Sequence, residues 1–186
     1  MVLDIIANTN WERPIYFAVT VGSDNYLGLE KYFQIEGLAY RVVPLEKNTK
    51  DGQTGQVNTI AMYENMVNKF NWGNMHMADV YHGTETERMS LNYRSMYARL
   101  ANSLIEEGKE EEALKALDKC MEAIPHESIL LNFSAAGLAE AYYKLEEYEK
   151  ANDIALKMLD VYGQEMDYYM SLDKQNVRRL GNEPEI

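Results

Sequence analysis

One cysteine, four prolines and 18 basic residues in a chain of 186 remove several readings at once. Cys120 has no second cysteine to pair with, so no internal disulfide framework exists. That suits a reducing compartment, and equally a disulfide-free domain outside the cytoplasm. The basic residues face 30 Asp and Glu, for a formal net charge of -12. Nucleic acid is therefore not an expected partner, because phosphate binding needs a basic face and counterion release. No apolar run approaches the roughly 20 residues of a membrane span. The opening Met1–Ala7 stretch is too short and too acidic for a signal peptide. Met1 is equally compatible with a native start and with a start inside a longer protein.

What the chain does have is 46% hydrophobic residues, enough to pack a core. Its acid is unevenly spread. Residues 1–84 carry 6 Lys/Arg against 9 Asp/Glu, and residues 85–186 carry 12 against 21. Long solvated helix faces produce this pattern, which points to helices in the second half.

Along the first half, Val2–Asn8 reads as a short helix closed by polar turn formers. Ile15–Val21 is rich in β-branched and aromatic residues and predicts a strand. Tyr26–Ile35 has apolar residues at Leu29, Tyr32 and Phe33, a helix-like spacing ended by Gly37. Leu38–Leu45 predicts a second strand, with Pro44 at its end or edge. Two strands bracketing a helix give a small β-α-β unit, right-handed by the usual crossover rule. Residues 46–56 form the most loop-like stretch and are expected to be mobile. Ile60, Met62, Tyr63, Met66, Val67 and Phe70 fall at helical spacing.

In the second half, Thr84 and Glu87 make a capping-box candidate ahead of a long helix. Gly108 turns that helix, and Glu110–Ile124 forms its partner, stopped by Pro125. The pattern Tyr97, Leu100, Ala101, Gly108, Ala113, Leu117, Cys120, Pro125 is that of a tetratricopeptide repeat. Its one notable departure is Leu104 where the pattern has tyrosine. A weaker second copy carries Leu138, Ala139, Tyr142 and Ala151. Ala151 follows Ala113 by 38 residues, against a usual period of about 34, so about four extra residues fall within 126–132. In this copy Glu146 replaces the turn glycine and Gly163 the proline. Two copies cannot close a continuous core, so the N-terminal half is expected to pack on the first repeat.

Few groups qualify for chemistry. His76, Asp79, His82 and Glu85 match no zinc spacing and read as loop residues. Asp24, Glu30 and Glu36 are conceivable as an acid pair for glycoside chemistry, though capping and solvation explain them more simply. Cys120 occupies a packing position and reads as core. Tyr142, Tyr143, Tyr148, Tyr162, Tyr168 and Tyr169 supply material for an aromatic groove that takes peptide or sugar. Asn132-Phe-Ser134 is a glycosylation sequon that also suits a helix cap, and the cap is the preferred reading.

Four blocks carry a family likeness: Asn10–Ala18 with its Trp-Glu-Arg-Pro core, Tyr26-Leu-Gly-Leu29, Gln34–Arg41, and Lys69–Asn74. They resemble the C-terminal region of a bacterial family of multipass membrane proteins, formerly a domain of unknown function, related to GT-C-type protein O-mannosyltransferases. In that family a block of membrane helices precedes a soluble tail with tetratricopeptide-like repeats. The resemblance implies an extracytoplasmic, periplasmic-face domain with its own membrane domain as a partner, and a parent enzyme that transfers sugar. It carries over no catalytic residue, because the catalytic acid of such enzymes lies between membrane helices. It marks Trp11, Arg13, Tyr40 and Arg41 as residues that are either structural or turned towards the membrane part and acceptor.

Together these readings predict an α+β, mostly α fold: tetratricopeptide-like hairpins packed on a small N-terminal β-α-β unit. The divisions expected are an α/β subdomain over 1–84, a helical region over 85–172 with repeats at about 94–127 and 132–165, and a polar tail over 173–186. The chain is expected to be no enzyme by itself, to need no cofactor or metal, and to bind a protein, peptide or glycan acceptor. The concave face near Arg94, Arg99 and Tyr142 is the expected landing site. The alternatives are a free-standing cytoplasmic adaptor and a carbohydrate-active enzyme using the N-terminal carboxylates.

Overall fold

The computed structural model describes residues 2–47, 49 and 51–172; the predicted tail, 173–186, lies outside them. The architecture is α+β and mostly α. Helix α1 (Val2–Asn8) comes first. A small sheet follows, made of β1 (Tyr16–Ala18), β2 (Phe33–Ile35), β3 (Ala39–Val42) and β4 (Gln56–Val57) in the order β1-β3-β2-β4. β3 pairs antiparallel with β1 (Phe17 opposite Tyr40) and with β2 (Gln34 opposite Arg41). β4 runs parallel to β2.

No β-α-β unit forms. The stretch read as a helix, Tyr26–Ile35, holds one 3-10 turn, Glu30–Tyr32, followed by β2, and a second 3-10 turn, Ser23–Asn25, precedes it. Leu27 and Gly28 both hold positive φ, 60° and 74°, which no helix accommodates. Phe33 and Ile35 are buried with Gln34 between them less so, a strand alternation hidden inside helix-like spacing. Phe33 stacks on Tyr40, with ring centroids 5.4 Å apart, and meets Tyr26 edge-on at 5.1 Å.

Helix α2 (Thr59–Tyr63) is capped by Asn58, whose side chain accepts from the Ala61 N–H. It runs directly into a π-helical turn, Glu64–Lys69. Met62 and Met66 on this segment are fully buried in the same core as Phe33, Ile35 and Val42. The π turn spaces its groups for two cross-links. Asn65 Nδ2 donates to the Glu36 carbonyl at 2.7 Å, and the Tyr97 hydroxyl donates to the Met66 carbonyl at 2.7 Å.

Four α-helices follow among the described residues: α3 (Thr84–Glu106), α4 (Glu110–Ala123), α5 (Ala136–Lys144) and α6 (Tyr148–Ser171). α3 packs on α4 and α5 on α6 as hairpins, and α3 also packs on α5. The predicted capping box is not made, because Gly83 takes the cap position and supplies no side chain. Gly108 turns the first hairpin with φ 73°. Glu146 takes the same left-handed conformation in the second, φ 61°, without glycine's freedom. Ala101, Ala113, Leu117, Cys120, Leu138 and Ala151 are buried. Small residues at the crossings let the helices approach closely, and at Gly137 an added Cβ would sit 3.1 Å from the Ala98 methyl.

The sheet and the helices share one core. The predicted packing of the N-terminal half on the first hairpin is thus observed, through α2 and the π turn. Residues 126–132, where extra length was expected, connect the hairpins and end at Asn132. That side chain accepts from the Ser134 N–H and opens a 3-10 turn, Phe133–Ala135, ahead of α5.

Candidate functional site

The inner face of the stack is made by the first helix of each hairpin. On α3, Ser95, Ala98, Arg99, Asn102 and Glu106 recur every three or four residues and so share one face. On α5 and the turn before it, Ser134, Gly137, Glu140 and Lys144 oppose them. The loop before β4 closes the third side with Asp51 and Gln53, joined by Gln56 of β4 itself. The groove between them has a volume of about 580 Å3 and is lined mostly by polar side chains, with Phe133, 69% exposed, beside it.

Arg99 builds the roof. Its Nε donates to Asp51 Oδ2 at 2.7 Å, and its other nitrogens donate to the Thr54 carbonyl at 2.8 Å and to the Gly55 carbonyl. A planar guanidinium suits this fork of acceptors as an ammonium would not. Gly55 is required here twice over. Its φ is 77°, and a Cβ would lie 2.9 Å from the Tyr40 ring. The loop end expected to be mobile is therefore tied to α3. Across the floor, Lys144 Nζ donates to Asn102 Oδ1 at 2.7 Å and pairs with Glu140 at 2.7 Å. Four acids (Asp51, Glu106, Glu107, Glu140) face two bases (Arg99, Lys144), so the lining is acidic on balance.

Of the residues assigned to the concave face, Arg99 alone lines this groove. Arg94 is a correction: it is fully buried and donates to the carbonyls of Ile124 (3.2 Å), Ile129 (2.6 Å) and Leu130 (2.8 Å). Burial lowers its pKa, and its Nε has no partner. An arginine inside a helical stack was read as a surface group because charge normally marks the surface. Tyr142 is a second correction. It is 1% exposed, donates to Asp118 Oδ1 at 2.8 Å and lies under Lys150, on the α4–α6 side of the stack. Burial, then the Asp118 contact, raises its pKa. The other tyrosines of the second hairpin are exposed on α5 and α6 and do not line this groove.

The resemblance residues divide in two. Trp11 and Arg13 are exposed, at a corner where Asn10 and Trp11 both hold positive φ, 47° and 62°. Tyr40 is buried beneath Gly55. Arg41 is partly exposed and reaches Glu36 at 3.5 Å.

Glu36 is a locked carboxylate. It accepts from the Tyr16 hydroxyl at 3.0 Å, from Arg41, and from Asn58 Nδ2 at 3.4 Å. Asp24 is exposed on its own 3-10 turn, Glu30 opens the next one, and no hydrogen bond joins either to Glu36. The structure does not assemble these three into an acid pair. Cys120 is fully buried, and burial pushes its thiol up to about 12, which suits core filling. Among the described residues no group of three or more His, Cys, Asp or Glu comes together as a metal site. No helix among them is long and apolar enough to cross a membrane.

The groove was the feature least visible in the sequence. Its roof comes from a loop 45 residues distant from Arg99, and only the run of small and polar residues on one face of α3 hinted at it.

Comparison with curated proteins and with solved structures finds no match. Residues 1–61 match the family model of TMEM260-associated domain 2, so the N-terminal third of the chain is similar to a domain of that description.

Proposed function

We propose that this chain is a non-catalytic interaction domain of a TMEM260-like membrane protein, and that the α3/α5 groove receives an extended segment of a protein or glycan-bearing acceptor. The observation that carries the reading is the groove itself. It is open, polar, about 580 Å3 in volume, and floored by two packed helices, α3 and α5, that carry hydrogen-bonding groups. Stacked hairpins with alanines at their crossings, and a left-handed residue at each turn, favour counting them as tetratricopeptide-like repeats. The exposed Trp11–Arg13 corner, within the matched segment, supports a second contact with the parent's membrane part. A parent of the GT-C sugar-transferring class, with this domain on the extracytoplasmic side, belongs to the same proposal and rests on the sequence resemblance. A free-standing adaptor is the alternative, and the DNA upstream of Met1 separates the two. The locked state of Glu36 argues against the carbohydrate-active alternative.

The test is site-specific photocrosslinking in cells, with the reactive group placed at Ser103 or Glu140 in the groove, at Trp11, and at exposed Lys115 on α4 as a control. The proposal expects adducts from the groove positions to an acceptor and from Trp11 to membrane-embedded protein. Adducts from Lys115 alone, or none from the groove, would overturn it.

A further inference from the structure

α6 ends the helical stack but does not present the polar outer face that an end helix normally needs for solubility. Its inward residues Ala151, Ile154 and Val161 are buried. On the outward side Leu156, Leu159, Gly163, Met166 and Met170 follow at steps of 3, 4, 3 and 4 residues, a heptad stripe. The four large members are 65, 67, 62 and 78% exposed in that order. Gly163 sits at the centre of this stripe, with nothing within 4 Å of the place a Cβ would occupy. A glycine inside an exposed helix is less favourable than alanine, and no contact among the described residues accounts for it. Tyr162 and Tyr169 border the stripe on one side. Asp153, Asp160 and Asp167, seven residues apart, border it on the other.

We propose that this face of α6 docks an amphipathic helix of a partner protein, one with an apolar stripe of matching period and a row of Lys or Arg beside it. Three arguments select that occupant. The stripe and its tyrosine border make one continuous surface whose large members are 36–78% exposed, the apolar centre that a specific interface buries. The aspartate row supplies charge complementarity to a basic row. Asp153 is held by Lys157 at 2.9 Å and Asp160 by Gln164 at 2.8 Å, contacts exposed enough to exchange for a partner's cations. The gap at Gly163 lets a second helix backbone approach closely. A second copy fits less well, because antiparallel self-pairing sets the aspartate row against its own counterpart. An anionic lipid surface is repelled by that row and by the net charge of -12.

The test uses the whole chain and two fluorescent helical peptides of about 21 residues, identical in a leucine heptad stripe. One carries lysines along the flanking row, the other glutamates. Fluorescence anisotropy is expected to show the lysine peptide binding at least roughly tenfold more tightly, with affinity falling as salt rises. The double variant Asp160→Lys/Asp167→Lys is expected to reverse the preference, and Met166→Glu to weaken both. All three positions are exposed, and unchanged thermal melts verify that the variants fold. Equal binding of the two peptides, or no binding of the lysine peptide, overturns the proposal. So does a dimer in sedimentation equilibrium that Met166→Glu abolishes, or capture by phosphatidylglycerol vesicles in preference to the peptide. The groove reading is untouched by any of these outcomes, because the stripe shares no residue with it.

Discussion

Replacing Arg94 by methionine removes a buried cation while keeping much of its length, and two opposing effects decide the result. The guanidinium donates to three main-chain carbonyls, those of Ile124, Ile129 and Leu130. Its bonds to Ile124 and Ile129 are fully buried, and neither carbonyl would gain water when the donor leaves. Each buried acceptor left unpaired costs about 1–3 kcal/mol. Against this, methionine removes the desolvation that already depresses the Arg94 pKa, and it removes the unpartnered Nε. Buried ions exchanged for apolar residues sometimes leave a protein more stable for that reason. Here the acceptors are backbone groups that cannot be removed with the ion, so the loss wins. The expected net destabilisation is about 3 kcal/mol, a fall in Tm of roughly 10 °C for a chain of this size. Urea unfolding followed by circular dichroism measures it, with an unchanged m-value showing that only stability moved. Arg94→Lys is expected to fall between parent and Arg94→Met, because one ammonium cannot fork across the same acceptors. An Arg94→Met variant within about 0.5 kcal/mol of the parent, or above it, would refute the argument that these carbonyls depend on Arg94.

Three further outcomes follow from the geometry. Tyr97, Tyr142 and Cys120 all have folded pKa values raised by burial, Cys120 to about 12. Their protonated forms therefore favour the folded state. That contribution is complete below the unfolded values, near 8.5 for Cys and 10 for Tyr, and is lost as pH rises through the folded ones, at up to about 1.4 kcal/mol per pH unit and group. Denaturant melts from pH 8 to 12 should show stability falling, with a shallower slope for Tyr142→Phe; a flat profile counts against it. Glu146→Gly should stabilise by roughly 1 kcal/mol, because Glu146, two positions past the end of α5, holds φ 61° and is exposed. A thermal melt unchanged or lowered would show that the Glu146 side chain does more than fill the turn. Arg99→Gln should speed amide hydrogen exchange over residues 51–57 by at least roughly tenfold while leaving the core of α4 protected. Equal exchange would mean that the loop is held by Tyr40 and the sheet alone.

The helical half was legible because its physics is local. Helix starts and stops at Glu110, Gly108 and Pro125, and small residues at Ala101 and Ala113, are written within a few positions of one another. The sheet was not. β2 and β4 are three and two residues long, and each is defined by a partner distant in sequence rather than by its own pattern. Phe33 and Ile35 also fit a helical stripe, and only the positive φ at Leu27, not inferable from leucine, excludes it. The candidate site was legible in one residue. Arg94, Arg99 and Tyr142 look alike as polar groups on helices, and what separates them is which carbonyl or carboxylate a segment distant in sequence brings within reach. The acid row along α6 was visible as composition, and a helix running on past Gly163 through Met166 and Tyr169 was legible too; what the sequence did not show is which face of that helix stays exposed.

The π-helical turn at Glu64–Lys69 has a consequence for how the molecule can be divided. It hands the Met66 carbonyl to Tyr97 and anchors Asn65 on Glu36, while Thr59 donates to Glu107 at the far end of α3. The segment is shared property of sheet and helices, like a keystone claimed by both sides of an arch. The boundary at which the family match ends, residue 61, falls in α2, just ahead of this turn. A protein cut there would strip the sheet of Met62 and Met66 and sever Asn65 from Glu36 and Thr59 from Glu107. Domain exchange between relatives would therefore have to carry residues 1–107 as one inheritable piece, and recombination inside that span should be selected against.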